Sequence, residues 1–121
     1  MKILKAKSSM PNTKIFPINN LGMLSKPPKF TYQKICESLP VSGMKWPIMI
    51  CSYENYWKKD TLWKDVDTDK MGVVNGNQRV LWAIENDYTH IEALEVKTRD
   101  ERDTINKITF ISQDEYPLWK Y

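Results

Sequence analysis

Val73-Val74-Asn75-Gly76-Asn77-Gln78-Arg79-Val80-Leu81-Trp82-Ala83-Ile84 reads as a short apolar strand, a glycine turn and a helix that opens with an arginine. A strand that feeds a helix through Asn-Gly-Asn leaves the first backbone N–H groups outside the helix ladder and pointing outward. Those donors, the positive end of the helix dipole and the guanidinium of Arg79 are expected to converge on the open side of the helix start. A phosphate or a carboxylate suits that spot. Four residues make a short signal, and a plain strand–turn–helix with a surface arginine is written in the same letters.

The flanks supply context. Upstream run Ile35-Cys36-Glu37-Ser38-Leu39, then Gly43, then Lys45-Trp46-Pro47-Ile48-Met49-Ile50. Downstream comes Tyr88-Thr89-His90-Ile91-Glu92-Ala93-Leu94-Glu95-Val96. The ordered set Ser38-Leu39, Gly43, Pro47-Ile48, Gly76, Arg79, Ala83 and Ile91 to Val96 resembles the core of the ParB/sulfiredoxin superfamily, over roughly residues 14–97. The resemblance implies an α+β fold, a compact mixed β-sheet flanked by a few helices. It also implies a nucleotide ligand: CTP in ParB partition proteins, ATP in sulfiredoxins, ADP or ATP in the related free-serine kinases, with Mg2+ as an optional companion. Carried over position by position, Gly76, Asn77, Gln78 and Arg79 make the phosphate turn, and Gly43, Lys45, Trp46 and Pro47 the loop beside the nucleotide. In that loop Lys45 would meet a phosphate and Trp46 would stack on a base. A Trp46 packed in the core with a solvated Lys45 is the competing expectation.

The chain departs from the family pattern in ways that matter chemically. Many ParB members carry a glutamate and a second arginine where Asn77 and Gln78 stand. Two amides still donate hydrogen bonds but bring no charge to a phosphate. Sulfiredoxins have Gly-Cys-His-Arg at this turn, and Asn77 takes the place of the nucleophilic cysteine. An amide cannot be a thiolate, so sulfinic acid reduction is not expected. No catalytic residue is assigned, and NTP hydrolysis, phosphotransfer or weak nuclease activity stay open. Neither a helix-turn-helix nor a dimerisation domain is expected in the roughly 24 residues after the last family strand, so operator-specific DNA segregation is not expected either. Stand-alone domains of this kind resemble those of phages and mobile elements, which would place the protein in a host cytoplasm.

At 121 residues the chain suits one domain. The expected organisation is a flexible Lys-rich arm over 1–13 and a single domain over 14–121 with an insertion at 53–70. Net charge is +3, and Lys2, Lys5, Lys7 and Lys14 gather near the start, so the basicity belongs to the arm. A solvated tail is the expectation there, with phosphate contact as the alternative. There is no apolar run long enough to span a membrane and no secretory leader. Cys36 and Cys51 lack C-x-x-C spacing and read as small buried thiols in a reducing, cytoplasmic setting.

Along the chain, Lys14–Ile18 is expected as an edge strand because of Pro17. Thr31 is expected to cap a helix of about eight residues that stops before Pro40. Residues 47–52 are apolar throughout, the mark of a strand buried on both faces. Met71–Asn75 is the next strand, followed by a helix over Arg79–Asn86 whose Val80, Leu81, Ile84 and Tyr88 share a face. His90–Lys97 is a strand, and 100–107 a charged helix with Ile105 and Ile108 inward. Asp65, Asp67 and Asp69 alternate as in a calcium loop, but Lys70 and Gly76 stand where such a loop needs glycine and glutamate. No metal site is assigned. His90, the only histidine, reads as a boundary residue. In the insertion Tyr53, Tyr56, Trp57 and Trp63 interleave with Lys58, Lys59 and Lys64, a mixture suited to single-stranded DNA or to a partner such as a host protein. A lid over the pocket and simple packing on the sheet are equally open. Three classes of function therefore stand: a nucleotide-binding switch or phosphotransferase, a DNA-binding or nicking protein, and a non-catalytic interaction protein. The sequence leaves the oligomeric state open.

Overall fold

The computed structural model describes residues 1–8, 10–23, 29–52, 69–98 and 100–105. Its frame is a six-stranded mixed sheet. The strands are β1 (Ile3–Leu4), β2 (Thr13–Pro17), β3 (Leu21–Met23), β4 (Ile48–Cys51), β5 (Met71–Asn75) and β6 (His90–Glu95). Two helices are α1 (Lys29–Ser42) and α2 (Asn77–Glu85), and residues 100–105 are also helical. The α+β class with a mixed sheet is the one expected.

β6 organises the sheet. One of its edges pairs antiparallel with β2, from Thr13 opposite Leu94 to Pro17 opposite His90. Its other edge is shared by two parallel partners: β1 takes His90 and Ile91, and β4 takes Ala93 to Glu95. β5 then pairs antiparallel with β4, and β3 parallel with β5. The register of β4 on β5 slips between Met49 and Ile50, where Met49 faces Asn75 and Ile50 already faces Val73. Val74 is the extra residue. Such a bulge bends and twists its strand, and this one lies two residues before Gly76.

Every residue of β4 is buried, as its unbroken apolar run implies. Ile48 and Ile50 join Val73, Ile91 and Ala93 in the core under α1 and α2. Met49 and Cys51 join Leu94 and Val96 on the other face, where Met10, Val74 and Ile105 pack. Burying one such side chain stabilises by about 1.5–3 kcal/mol, so the period of two in β4 serves two cores at once.

Three expectations change. The N-terminal segment is not a free arm: β1 enters the sheet, and Ala6 bridges Met44 in parallel. Its composition is that of a tail, but alternation of Leu4 and Ala6 inward with Lys5 and Lys7 outward gives a strand a place to dock. The first helix starts at Lys29 and runs through Pro40 to Ser42, instead of stopping before the proline. Pro40 lies in the last turn and forfeits only the bond to Cys36. Around it, Gly43 N–H donates to the Leu39 carbonyl at 2.9 Å and Ser42 Oγ to the Ser38 carbonyl at 2.9 Å. Gly43 itself, at φ +74°, is the left-handed residue that ends the helix. Finally, α2 begins at Asn77 and not at Arg79. Its inner face is Val80, Ala83 and Trp82, and Ile84 is 47% exposed.

Candidate functional site

Gly76 ends β5 and serves as the N-cap of α2 with φ +110° and ψ 21°. A Cβ built there would lie 2.6 Å from Ile48 Cγ2 and 2.9 Å from Arg79 Nη2, so only glycine fits. Gly76 brings no side chain to the helix start. The ladder of α2 begins with Val80 N–H to the Gly76 carbonyl at 3.0 Å, so the N–H groups of Asn77, Gln78 and Arg79 precede it. These N–H groups lie at the positive end of the helix dipole.

The side chains of the turn point elsewhere. Arg79 is 6% exposed, and its Nη1 donates to the carbonyl of Trp46. The guanidinium therefore does not stand on the open side of the helix start; it turns inward and ties α2 to the loop before β4. A carbonyl of that loop is a ready charge-assisted partner. Asn77 Nδ2 donates back to the Val73 carbonyl at 3.1 Å, which braces the bulge end of β5. Gln78 is 4% exposed.

The neighbouring loop is brought to this turn as its sequence implies. Met44 is buried, Pro47 is buried, and Lys45 and Trp46 are half-buried. The indole Nε1 of Trp46 is shielded from solvent without a hydrogen-bond partner among the described residues. Sequence reading missed the wall of this loop: Lys7 N–H donates to the Met44 carbonyl at 2.8 Å and Ser8 N–H to the Lys45 carbonyl at 2.9 Å. The Lys7 stem crosses Gly43, its Cε 2.9 Å from where a Cβ would be. Only the alternation noted above could have signalled it.

The far end of α2, about 13 Å away by its nine residues, borders an open groove of about 810 Å3. Ile18, Ile84, Asp87, Tyr88 and His90 are among its lining. There Lys2 Nζ donates to the Asn86 carbonyl at 2.9 Å and sits over the Tyr88 ring, a cation at a helix C-terminus. Thr89 Oγ1 donates to the Lys2 carbonyl at 3.1 Å and lies 2.9 Å from His90 Nδ1. The groove and the Gly76 turn are separate places.

Neither thiol lies at the turn. Cys51 is fully buried in β4, and burial, with Glu95 nearby, pushes its thiol up to about 11. Cys36 is exposed on α1, contrary to the expectation of two buried thiols. Between α1 and α2, Tyr32 donates to Glu85 Oε1; burial, then this bond, raises the phenol well above its usual range. No group of three or more potential metal ligands occurs among the described residues. Asp65 and Asp67, and the insertion over 53–68, lie outside the described residues, as do Ile108 and the aromatic end of the chain.

Fold and site together define a mixed-sheet α+β domain with a glycine-started helix facing a second glycine loop. In structure the chain is similar to sulfiredoxin from Arabidopsis thaliana, at 13% identity and a TM-score of 0.49, covering 80% of this chain and 96% of that one. No protein-family model matches the sequence, and no curated protein does. No helix among the described residues is long and apolar enough to cross a membrane.

Proposed function

We propose that the chain binds the phosphates of a nucleotide, CTP or ATP/ADP, at the N-terminus of α2. The observation that carries the reading is the helix start itself, where left-handed Gly76 hands β5 to α2. In this reading the N–H groups of Asn77, Gln78 and Arg79 donate to phosphate oxygens, each charge-assisted bond contributing about 1.5–3 kcal/mol net. Arg79 acts by holding the Gly43–Pro47 loop against the turn, and not as the clamp that the sequence suggests. The ordered motifs of the ParB/sulfiredoxin resemblance favour a nucleotide over a simple carboxylate. Hydrolysis or phosphotransfer would need a positioned water or acceptor, and no side chain is assigned to that step. DNA binding or nicking, or capture of a host protein, would fall to residues 53–70, almost all outside the described residues, and no observation favours either.

The test is titration of the full chain with ATP, ADP, CTP and GTP, with and without Mg2+, followed by backbone amide shifts. Saturable shifts at residues 76–80 and 43–46 are expected. Absence of saturation with every nucleotide at concentrations of about 1 mM, where binding is worth about 4 kcal/mol, overturns the reading. Phosphate release measured alongside decides between a switch and an NTPase, and a short DNA in the same series checks the alternative.

A further inference from the structure

The N-terminal strand and the loop of the proposed site are joined at four points. Ala6 bridges Met44, Lys7 N–H bonds the Met44 carbonyl, Ser8 N–H bonds the Lys45 carbonyl, and the Lys7 stem crosses Gly43. The segment's remaining ties lie at residues 2–4: Leu4 is buried in the main core, and Lys2 Nζ bonds the Asn86 carbonyl and sits over the Tyr88 ring. β1 is two residues long, and behind it the Lys2 carbonyl accepts from Thr89 N–H at 2.9 Å and His90 N–H at 3.2 Å. Between its attachment to β6 and its attachment to the loop stands one side chain. Glu92 lies where β6 passes from its partner β1 to its partner β4. Its Oε1 accepts from Ala6 N–H at 3.1 Å in a partly buried setting, giving that amide a partner where the parallel ladder has changed strands.

We infer that residues 1–8 form a strap that sets the position of the Gly43–Trp46 loop on the α2 start, and that Glu92 is the positioning residue that pins the strap. The strap acts on the site through two successive ties, from Ser8 to Lys45 and from Trp46 to Arg79. Beyond the buried Leu4, residues 5–8 are held by the Ala6 bridge, two backbone bonds and Glu92, so this stretch opens ahead of the sheet. Opening it releases the loop carbonyls that hold the site together. The strap is therefore a regulatory element: what stabilises it favours ligand, and what peels it away weakens ligand binding. This step rests on the nucleotide reading for its ligand effect only.

The experiment is hydrogen exchange by NMR on the full chain as wild type, Glu92→Ala and Glu92→Gln, with ATP and CTP titrations on each. Glu92→Ala removes the acceptor, and Glu92→Gln keeps a carbonyl oxygen in its place. In Glu92→Ala, exchange at Ala6, Lys7, Ser8 and 44–46 is expected to rise by about tenfold or more, while Ile50 and Val73 in the sheet keep wild-type rates. Glu92→Gln restores most of the protection, and nucleotide affinity follows the same order. Lys7→Pro, which deletes the donor to Met44, gives the same pattern by a second route and serves if Glu92→Ala fails to fold. Unchanged exchange at 44–46 with a freed strap overturns the inference. If exchange rises as expected but wild type binds neither nucleotide, the strap stands as a loop clamp, its ligand role falls, and the nucleotide reading is what has failed.

Discussion

Replacing Arg79 by methionine isolates the tie between α2 and the loop. Methionine keeps an unbranched apolar stem and removes the donor to the Trp46 carbonyl. A hydrogen bond from a charged donor is worth about 1.5–3 kcal/mol net, and the carbonyl left behind loses its partner in a half-buried place. A total of about 2–3 kcal/mol follows, with the cost of burying the guanidinium recovered as a partial offset. For a chain of this size about 3–5 °C is lost per kcal/mol, so Tm should fall by about 6–15 °C. Calorimetry of wild type, Arg79→Met and Arg79→Lys is the assay. Lysine should fall between them, since an ammonium reaches one carbonyl but lacks the planar fork. A melting point for Arg79→Met within about 2 °C of wild type would refute the reasoning and return Arg79 to the solvent side, as a ligand group rather than a tie.

Gly76→Ala should cost more than Gly43→Ala. Both put a side chain at positive φ, about 1–2 kcal/mol each, but Gly76 adds a collision with the fixed Ile48 while Gly43 meets only the movable end of Lys7. Urea titrations with equal costs would contradict that difference. Stability should also decline as pH rises from about 9 to 11. An unfolded Cys51 thiol ionises near 9 while the folded one is held to about 11, so its contribution is intact below 9 and lost through that window. Tyr32 pushes in the same direction at higher pH. Cys51→Ala should flatten the decline between 9 and 11, and an unchanged slope in that variant would show the thiol is not the cause.

The sequence by itself determined the elements whose patterns are local. The unbroken apolar run of β4 required burial on both faces, and Pro17 kept β2 at an edge pairing with β6 alone. Gly76 announced a turn before a helix, and that helix start is where the candidate site lies. Only tertiary structure decided where the side chains of that turn point, because an arginine in the first turn of a helix serves solvent, ligand or a neighbouring carbonyl equally well. The Trp46 carbonyl, thirty-three residues away in sequence, chose. It likewise decided that Pro40 sits inside a helix, since the bonds of Gly43 and Ser42 to Leu39 and Ser38 close the turn around it. The lysine-rich start reads as a tail because composition records charge and not register. It becomes a strand because β6 offers an edge left vacant below β4, and Glu92 a partner for its backbone.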